Sequence, residues 1–410
     1  MPTAEFDMPA GKRHVVTAPQ TPFPEQGLPE DQVLAGVRDW LSRNRYDVPR
    51  NFGITYSGIP APITAKVEDM TRGTFFVEWA EDQQAGTIGM EREAVRMMAS
   101  LLGDPNAAGF ITTGGTESNL AAMRLARDLG KRSEPEIVAP VTMHFSFRLG
   151  AELMGIRLRE VDVDDRTHRP RIEDVERAIT ANTVALICSA PGGNFGLLDP
   201  VEEFAELAYR TGLYLHVDAA FGGFILPFMR DLGYDIPPFD FSLPGVSSMM
   251  TDGHKLGMLP VATGVFLARE ARLFDSIPTE STLIHTTSST KPGSRAASAW
   301  ALMKHWGREG YRRSTAHVLA VTKIIADGVD AIPGIDLFFP PFIQIVGITS
   351  QSVNLEDVHE LLADEGWGQS FGRVRGRQYI RLSIHPSRTE ENAHGFVRAF
   401  EAAVLKARRI

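Results

Sequence analysis

The sequence has a single cysteine, no long apolar run and no excess of basic residues, and each absence excludes a class of protein. Cys188 stands alone among 410 residues, so neither a disulfide framework nor a cysteine-based metal site can form within one chain. No run reaches the roughly 18 apolar residues that suggest a membrane span, and the N-terminus, MPTAEFDMPAGKRHVV, lacks the apolar core of a secretory signal. The net charge of −9 argues against nucleic acid or an anionic membrane as the main partner. These features predict a soluble, cytoplasmic globular protein.

The sequence does contain a regular alternation of strand-like and helix-like segments through its central part. Such βαβα order predicts an α/β fold, in which a mostly parallel sheet is flanked by helices and binds ligands at the carboxyl ends of its strands. We predict three parts: an N-terminal arm and helix over residues 1–50, a large ligand-binding domain over 51–285 and a smaller C-terminal α+β domain over 286–410.

Two of the predicted strands end beside a residue with catalytic chemistry. Asp218 follows the apolar strand Leu213–Val217, and Lys255 follows the strand-like run Ser247–Met250. A loop lysine can form a Schiff base with pyridoxal 5′-phosphate (PLP), while an aspartate on a neighbouring strand keeps the pyridine nitrogen of that cofactor protonated. Taken alone the pair is weak evidence, because an aspartate after a strand is most often a helix cap or a turn residue.

The segment FITTGGTESNLAAM predicts an anion site. Phe110–Thr112 is strand-like, Gly114 and Gly115 give a tight turn, and Thr116–Leu129 is strongly helical. The first N–H groups of a helix have no backbone partner and, together with the helix dipole, favour an anion such as phosphate. The segment lacks the GxxxxGK[ST] pattern of a nucleotide-triphosphate loop. An ordinary capped helix would have the same pattern.

Several polar residues fall at or just after predicted strand ends. They are Thr116, His144, Ser189, Asp218 and Lys255. Because such strand ends meet at one edge of a parallel sheet, we expect these residues to share one site. His144 could stack on a cofactor ring, and Ser189 could hydrogen-bond the phenolic oxygen of the cofactor. A lone histidine is nevertheless more often structural, and a strand-end serine is usually a turn former.

Four features in order, TTGGTESNLAA, His144, HVDAAFGG and TDGHKLG, resemble the group II PLP-dependent decarboxylases. The resemblance runs from about Asn51 to the C-terminus, and it implies the aspartate-aminotransferase-type fold (fold type I) with PLP as cofactor. Two branches of the family compete. FMRDLGYDIPPFDFSLPGVSSMMTDGHK is similar to sphingosine-1-phosphate lyases, whereas GITYSGIPAPITAKVEDM and WALMKHWGREGYRR are similar to the archaeal-type tyrosine/aspartate decarboxylases.

Carried over residue by residue, the resemblance gives each motif a role. It makes Lys255 the Schiff-base lysine, Asp218 the partner of the pyridine nitrogen and His144 the ring that stacks on the cofactor. The other cofactor contacts that we expect are Gly114, Gly115, Thr116, Ser189, Ala220 and His254, with Ser288 and Gly293 reaching in from a second subunit. The resemblance also implies a homodimer with its active sites at the subunit interface.

Three positions bear on the choice of reaction. The lyases typically carry a lysine where this chain has Val261, and amino-acid decarboxylases tend to place an arginine near the substrate carboxylate, at the position of Arg381. A guanidinium suits a carboxylate because it makes two parallel hydrogen bonds, although Arg381 could equally be a surface strand residue. The decarboxylases usually have a histidine at the position of Ala61. Because of this difference, the resemblance does not define the substrate pocket, and Tyr56 is a candidate contact.

We therefore expect a PLP-dependent lyase that decarboxylates a free L-amino acid to its amine. The alternative is retro-aldol cleavage of a phosphorylated β-hydroxy amine to an aldehyde, as in sphingosine-1-phosphate lyases. An α/β fold by itself would also allow a nucleotide-binding or scaffold protein. The residues do not specify the side chain of the substrate.

Overall fold

The computed structural model describes residues 6–7, 23–44, 48–76, 83–191, 193, 195–277, 290–374 and 376–409. The helices are α1 Glu30–Ser42, α2 Pro62–Met70, α3 Ala85–Leu101, α4 Gly115–Gly130, α5 Ser146–Met154, α6 Ile172–Ala178, α7 Val201–Thr211, α8 Leu226–Asp231, α9 Gly293–Asp330, α10 Leu355–Asp364 and α11 Glu390–Ala407. The strands are β1 Phe6–Asp7, β2 Phe75–Phe76, β3 Ala108–Thr112, β4 Glu136–Pro140, β5 Arg157–Val161, β6 Thr183–Ser189, β7 Tyr214–Asp218, β8 Ser248–Asp252, β9 Gly264–Ala268, β10 Lys291–Pro292, β11 Ile335–Leu337, β12 Ile345–Ser350, β13 Ser370–Val374 and β14 Arg377–Ser383. Within these ranges, no helix is long and apolar enough to cross a membrane.

The main sheet has seven strands in the order β3-β9-β8-β7-β6-β4-β5. The neighbours from β8 to β5 pair in parallel, and β9 runs antiparallel to both β8 and β3. This mixed, mostly parallel sheet with flanking helices confirms the predicted α/β fold class.

Helices cover both faces of this sheet. On one face, Val217 of β7 belongs to the same apolar cluster as Phe204 of α7, whereas Tyr214 of β7 joins Ala121 of α4 in the cluster on the other face. Every residue of β4, β6, β7, β8 and β9 is buried, which explains why β6 and β9 are nearly continuous apolar runs in the sequence. Cys188 of β6 is fully buried, and this burial raises the pKa of its thiol.

A second sheet lies in the C-terminal part of the chain, in the order β1-β13-β14-β12-β11, and all of its pairings are antiparallel. It confirms the small C-terminal α+β unit. The predicted boundary between residues 285 and 286 lies outside the described residues, and the division into three domains stays a prediction. The predicted N-terminal arm also lies mostly outside the described residues, apart from β1, which pairs with β13.

Two elements differ from the predicted ones. The sequence suggests two helices after Ser294, the second from near Ala316. α9 does consist of two helical parts, but they meet earlier, at a kink at Gly307. Gly307 has φ 54° and ψ −168°, a left-handed conformation that glycine adopts without steric cost. The segment from Asn51 to Lys66 is rich in Gly and Pro, a composition typical of loops, yet it contains the start of α2. Pro62 occupies the first turn of that helix, where its missing N–H has no consequence.

Candidate active site

A cavity of about 290 Å³ lies at the carboxyl edge of the main sheet. Asp218 is the last residue of β7, Lys255 lies in the loop after β8, and His144 lies between β4 and α5. These residues are distant in sequence but converge, because parallel strands end at the same edge. The predicted site residues that line the cavity are Tyr56, Gly114, Gly115, Thr116, His144, Asp218, Ala220, His254 and Lys255.

The glycine turn before α4 is shaped to let backbone approach a ligand closely. Gly114 has φ 131°, and a Cβ there would lie 3.0 Å from Cε1 of His254. A Cβ on Gly115 would lie 2.9 Å from Oδ2 of Asp252, so neither position accepts a side chain without movement of its neighbours. Gly114 is the N-cap of α4, and no side chain caps the helix. The first N–H groups of α4 therefore face the cavity end without a capping side chain, as an anion site requires.

Asp252 is a site residue that the sequence analysis missed. It ends β8, and its Oδ2 lies 2.8 Å from Nζ of Lys255 in an ion pair whose two side chains are both largely buried. The other oxygen, Oδ1, is buried and has no hydrogen-bond partner among the described residues. The available signal was its position in the motif TDGHK, three residues before the lysine. An unpartnered buried carboxylate oxygen is costly, which marks this end of the cavity as a place for a ligand.

Two donors fix the buried carboxylate of Asp218. Nδ2 of Asn119 donates to Oδ2 at 3.0 Å, and the backbone N–H of Ala220 donates to Oδ1 at 3.0 Å. Asn119 was not predicted either. It follows Gly115 by four residues, so both lie on the same face of α4. With two hydrogen bonds from neighbouring groups, the carboxylate has a defined direction at the edge of the cavity.

His144 is a half-buried histidine whose ring is held by the residue that starts α5. Its Nδ1 lies 2.8 Å from Oγ of Ser146. Burial lowers the pKa of His144, and the positive charges of Lys255 and Arg381 act in the same direction, whereas the carboxylates of Asp218 and Asp252 oppose the shift. The ring therefore favours the neutral form in a cavity that contains charges of both signs.

The remaining predicted residues lie farther from this cavity or outside the described residues. Ser189 ends β6 beside Asp218, and its N–H donates to the carboxylate of Asp199 at 2.7 Å; burial raises the pKa of Asp199 to about 7. Gly293 begins α9, and its N–H donates to the carbonyl oxygen of Thr74. Ser288 lies outside the described residues.

Arg381, on β14, lies near the cavity without being one of the residues that line it. It donates to the carbonyl oxygen of Gly193 at 2.6 Å and to that of Gly53 at 3.4 Å. Burial lowers its pKa. Within the described ranges no carboxylate forms an ion pair with this guanidinium.

The cavity has the chemistry that PLP requires. An amine, a fixed carboxylate and an uncapped helix N-terminus lie around one small space, and these groups suit the aldehyde, the pyridine nitrogen and the phosphate of the cofactor respectively. The glycine turn lies at the end of the cavity that suits the phosphate.

Comparison with known proteins agrees with this geometry. The pyridoxal-dependent decarboxylase conserved domain matches residues 63–346. The chain is 39% identical over 326 residues to a probable L-tyrosine/L-aspartate decarboxylase of Methanothermobacter thermautotrophicus, which covers 78% of this chain and 89% of that protein. It is 35% identical over 393 residues to an L-aspartate decarboxylase of Thermococcus kodakarensis, which covers 92% of this chain and 97% of that protein.

A solved sphingosine-1-phosphate lyase of Burkholderia pseudomallei has the same fold, with a TM-score of 0.85 and 26% identity, covering 96% of this chain and 94% of that chain. The matched domain extends from α2 to the start of β12 and includes every residue that lines the cavity except Tyr56. The predicted family, fold type, PLP cofactor and enzyme class are all confirmed, and the chain belongs to the pyridoxal-dependent decarboxylase family.

Proposed function

We propose that this chain removes the α-carboxylate of a free L-amino acid, with L-aspartate as the first substrate to test. The observation that carries the proposal is the convergence of Lys255, Asp218 and the Gly114–Gly115 turn on one cavity. The L-aspartate decarboxylase of Thermococcus kodakarensis, similar to this chain over almost its full length, supports the choice of substrate.

In this proposal each cavity residue has one task. When bound, PLP supplies an electron-poor ring that accepts the electrons left behind as CO2 departs. Lys255 would hold the cofactor through Nζ, and the fixed Asp218 carboxylate would accept a hydrogen bond from the protonated ring nitrogen. The phosphate would bind at the N-terminus of α4, on Gly114, Gly115 and Thr116, with His254 beside them.

The same proposal gives His144 and Tyr56 tasks on the open side of the cavity. His144 would stack on the cofactor ring. The proton that replaces the lost carboxylate would come from His144 or Tyr56, since both line the cavity. Single-turnover measurements on His144→Phe and Tyr56→Phe identify the donor: the variant that lacks it should slow proton uptake relative to CO2 release.

Arg381 would bind a carboxylate of the substrate. It is a half-buried cation without an anionic partner among the described residues, and a partly desolvated charge is stabilised by pairing. Replacing Arg381 by Lys keeps the charge but loses the planar fork. We expect KM to rise about 10- to 100-fold, because a hydrogen bond to a charged group contributes about 1.5–3 kcal/mol. An unchanged KM would contradict a contact between Arg381 and the substrate.

The first experiment is spectroscopic. The purified chain incubated with PLP should show the visible band of a protein-bound imine, and Lys255→Ala should lose it while keeping its thermal unfolding midpoint. The loaded enzyme is then offered the common L-amino acids while CO2 and amine are measured. Release of CO2 with β-alanine from L-aspartate supports the proposal, and a colourless protein after PLP incubation contradicts it.

Sphingosine-1-phosphate lyase-like cleavage is the second candidate, and the Burkholderia pseudomallei structure is the observation in its favour. Val261 argues against it, because this residue lines the cavity where the lyases carry a lysine, so a cation expected near a phosphorylated substrate is missing. Assaying aldehyde release from phosphorylated β-hydroxy amines in parallel with CO2 separates the two reactions.

A homodimer is also part of the proposal. α1 buries no residue, and its apolar side chains are largely exposed: Val33, Leu34, Val37, Trp40 and Leu41. An exposed apolar face of this kind is typical of an interaction surface, and a second copy of the chain is the proposed cover. Ser288 and Gly293 would then complete the neighbouring site.

Light scattering tests the proposed dimer. It should give twice the mass of 45.1 kDa, and Trp40→Glu should shift the measured mass towards that of the monomer. A cytoplasmic location stays a prediction.

A further inference from the structure

Next to the cavity lies a chain of buried polar side chains that the proposed roles do not use; one of them, Asn119, also lines the cavity. It consists of Ser248 on β8, His216 on β7, Asn119 on α4 and Ser146 at the start of α5, each no more than 1% exposed. These four residues come from four different elements. We refer to them as the buried relay. Buried polar groups are retained when their hydrogen bonds are satisfied, and the relay satisfies its bonds by connecting two cavity residues.

The first part of the relay fixes the orientation of Asn119. Burial lowers the pKa of His216 to about 4, so its ring is neutral near pH 7 and carries one N–H. Nδ1 lies 2.8 Å from Oγ of Ser248, and Nε2 lies 3.0 Å from Oδ1 of Asn119. An amide oxygen only accepts, so the proton is on Nε2 and Ser248 donates to Nδ1. The opposite amide orientation would set the oxygen of Asn119 against the Asp218 carboxylate, where two acceptors would repel.

The second part of the relay fixes the tautomer of His144. The amide of Asn119 has two hydrogens, and it donates one to Asp218 at 3.0 Å and the other to Oγ of Ser146 at 2.9 Å. Ser146 accepts that bond and has one hydrogen left, which it donates to Nδ1 of His144 at 2.8 Å. The N–H of Ser146 also points to Nδ1, at 3.3 Å. With Nδ1 occupied as an acceptor, the proton of the neutral ring is on Nε2.

We propose that Asn119, held by His216 and Ser248, is a positioning residue that sets both the direction of the Asp218 carboxylate and the Nε2–H tautomer of His144. This inference rests on the proposed function for its consequence in catalysis, but its hydrogen-bond pattern is a property of the chain itself. One amide thereby links Asp218, which would hold the ring nitrogen of the cofactor, with His144, which would stack on its ring. A change at Asn119 alters both together.

The experiment uses four variants of the full chain. Asn119→Leu keeps the approximate shape but removes both donors. Ser146→Ala removes the hydroxyl that donates to His144 and accepts from Asn119, but it leaves the bond from Asn119 to Asp218 in place. Ser146→Thr restores a hydroxyl at the same position. Thr322→Val is the matched control, since Thr322 is a buried helix residue whose hydroxyl donates to the carbonyl oxygen of Val318 on α9, away from the relay.

The first readout needs no cofactor. In chain labelled with ¹⁵N-histidine, the ring nitrogen shifts report the tautomer, and His144→Gln identifies the signal of His144. We expect the wild type, Thr322→Val and Ser146→Thr to show the Nε2–H form. Ser146→Ala and Asn119→Leu should show a mixture of both tautomers. A wild-type His144 with its proton on Nδ1, or an unchanged signal in Ser146→Ala, overturns the inference.

The second readout is the affinity for PLP, measured by titration of the visible band. We expect Kd to rise about 10- to 100-fold in Asn119→Leu, an effect of the size that outer-shell partners have at metal sites, and to stay within about 2-fold in Thr322→Val. If Asn119→Leu fails to fold, Asn119→Ser and Ser146→Ala provide the same comparison with smaller changes. An unchanged Kd and tautomer in a folded Asn119 variant overturn the inference.

The two proposals can fail separately. A chain that binds no PLP but shows the Nε2–H form of His144, lost in Ser146→Ala, contradicts the proposed function and leaves the relay intact. A chain that binds PLP and decarboxylates L-amino acids with unchanged kinetics in Asn119→Leu contradicts the relay and leaves the function intact.

Discussion

Two short turns in this protein have the same sequence pattern and the same hydrogen bonds, yet only one lies at the cavity. In His-Phe-Ser, Oγ of Ser146 lies 2.8 Å from Nδ1 of His144, and in His-Pro-Ser, Oγ of Ser387 lies 2.8 Å from Nδ1 of His385. In both turns the serine N–H also points to Nδ1, at 3.3 Å and 3.1 Å. Locally the two histidines are held alike.

The surroundings of the two turns differ. His385 is 2% exposed, and burial with the nearby charge of Arg388 lowers its pKa to about 3. A Cβ at Gly58 would overlap its ring, so His385 packs directly against the segment that carries Tyr56. His144 instead lines an open cavity, between the carboxylates of Asp218 and Asp252 and the cations of Lys255 and Arg381. A His-x-Ser turn therefore provides orientation, and neighbouring charges and solvent access decide whether the ring takes part in chemistry.

The largest effect is expected when the cavity histidine is removed. We expect His144→Gln to lower kcat by about 10²- to 10⁴-fold, the range typical of lost acid–base groups, with little change in the thermal unfolding midpoint. Steady-state kinetics at saturating PLP and calorimetry check both parts. A normal kcat in His144→Gln would mean that His144, like His385, has only a structural role.

The reverse is expected at the second turn. His385→Ala should lower the free energy of unfolding by about 2–4 kcal/mol, because it leaves a cavity and removes the acceptor of the Ser387 hydroxyl hydrogen, while kcat stays within a few-fold of wild type. Urea unfolding followed by far-ultraviolet circular dichroism measures the loss. A large loss of kcat at unchanged stability would contradict a structural role.

Acid should act on stability through the fully buried histidines. The folded-state pKa is about 4 for His216 and about 3 for His385, both below the ordinary value of about 6.5 in the unfolded chain. Stability is therefore complete above pH 6.5 and falls as the pH decreases towards 4, because the unfolded state binds more protons. Between pH 5 and 6, the free energy of unfolding should decrease less steeply with falling pH in His385→Ala than in the wild type, by about 1.4 kcal/mol per pH unit. Urea unfolding measured at several pH values in this range gives both slopes. An identical slope in the variant and the wild type would mean that His385 binds a proton as readily in the folded state as in the unfolded state.

The smallest effect is expected from the serine of the structural turn. Ser387→Ala removes the donor to His385 and the acceptor for the N–H of Ile59. We expect a loss of about 1 kcal/mol in the free energy of unfolding, the net value of an ordinary hydrogen bond, and no change in kcat. The corresponding change at Ser146 should alter the His144 tautomer, so the paired variants compare the two turns directly.

The sequence predicts those parts of the site that depend on local patterns. Lys255 and Asp218 follow apolar strands, and Gly114 and Gly115 precede a helix, so their placement at a sheet edge follows from general rules of α/β folds. The α/β class and the family were predictable for the same reason. The order of the strands was not predictable from these patterns, since it depends on pairings between distant segments.

The rest of the site depends on which way side chains point after folding. Asn119 meets Asp218 across 99 positions of sequence and His216 across 97, and no local pattern encodes such contacts. Asp252 was adjacent to the lysine motif, but its role beside Lys255 depends on how the β8 loop turns. His385 and His144 have nearly the same local sequence, and only the fold separates them.

The isolation of Cys188 inside β6 has a practical consequence. Because the native thiol is shielded, a cysteine introduced on the outward face of α1 would be the reactive position available to a maleimide reagent among the residues described. A nitroxide attached there would report by electron spin resonance whether two such faces approach one another, with no native thiol to be removed first.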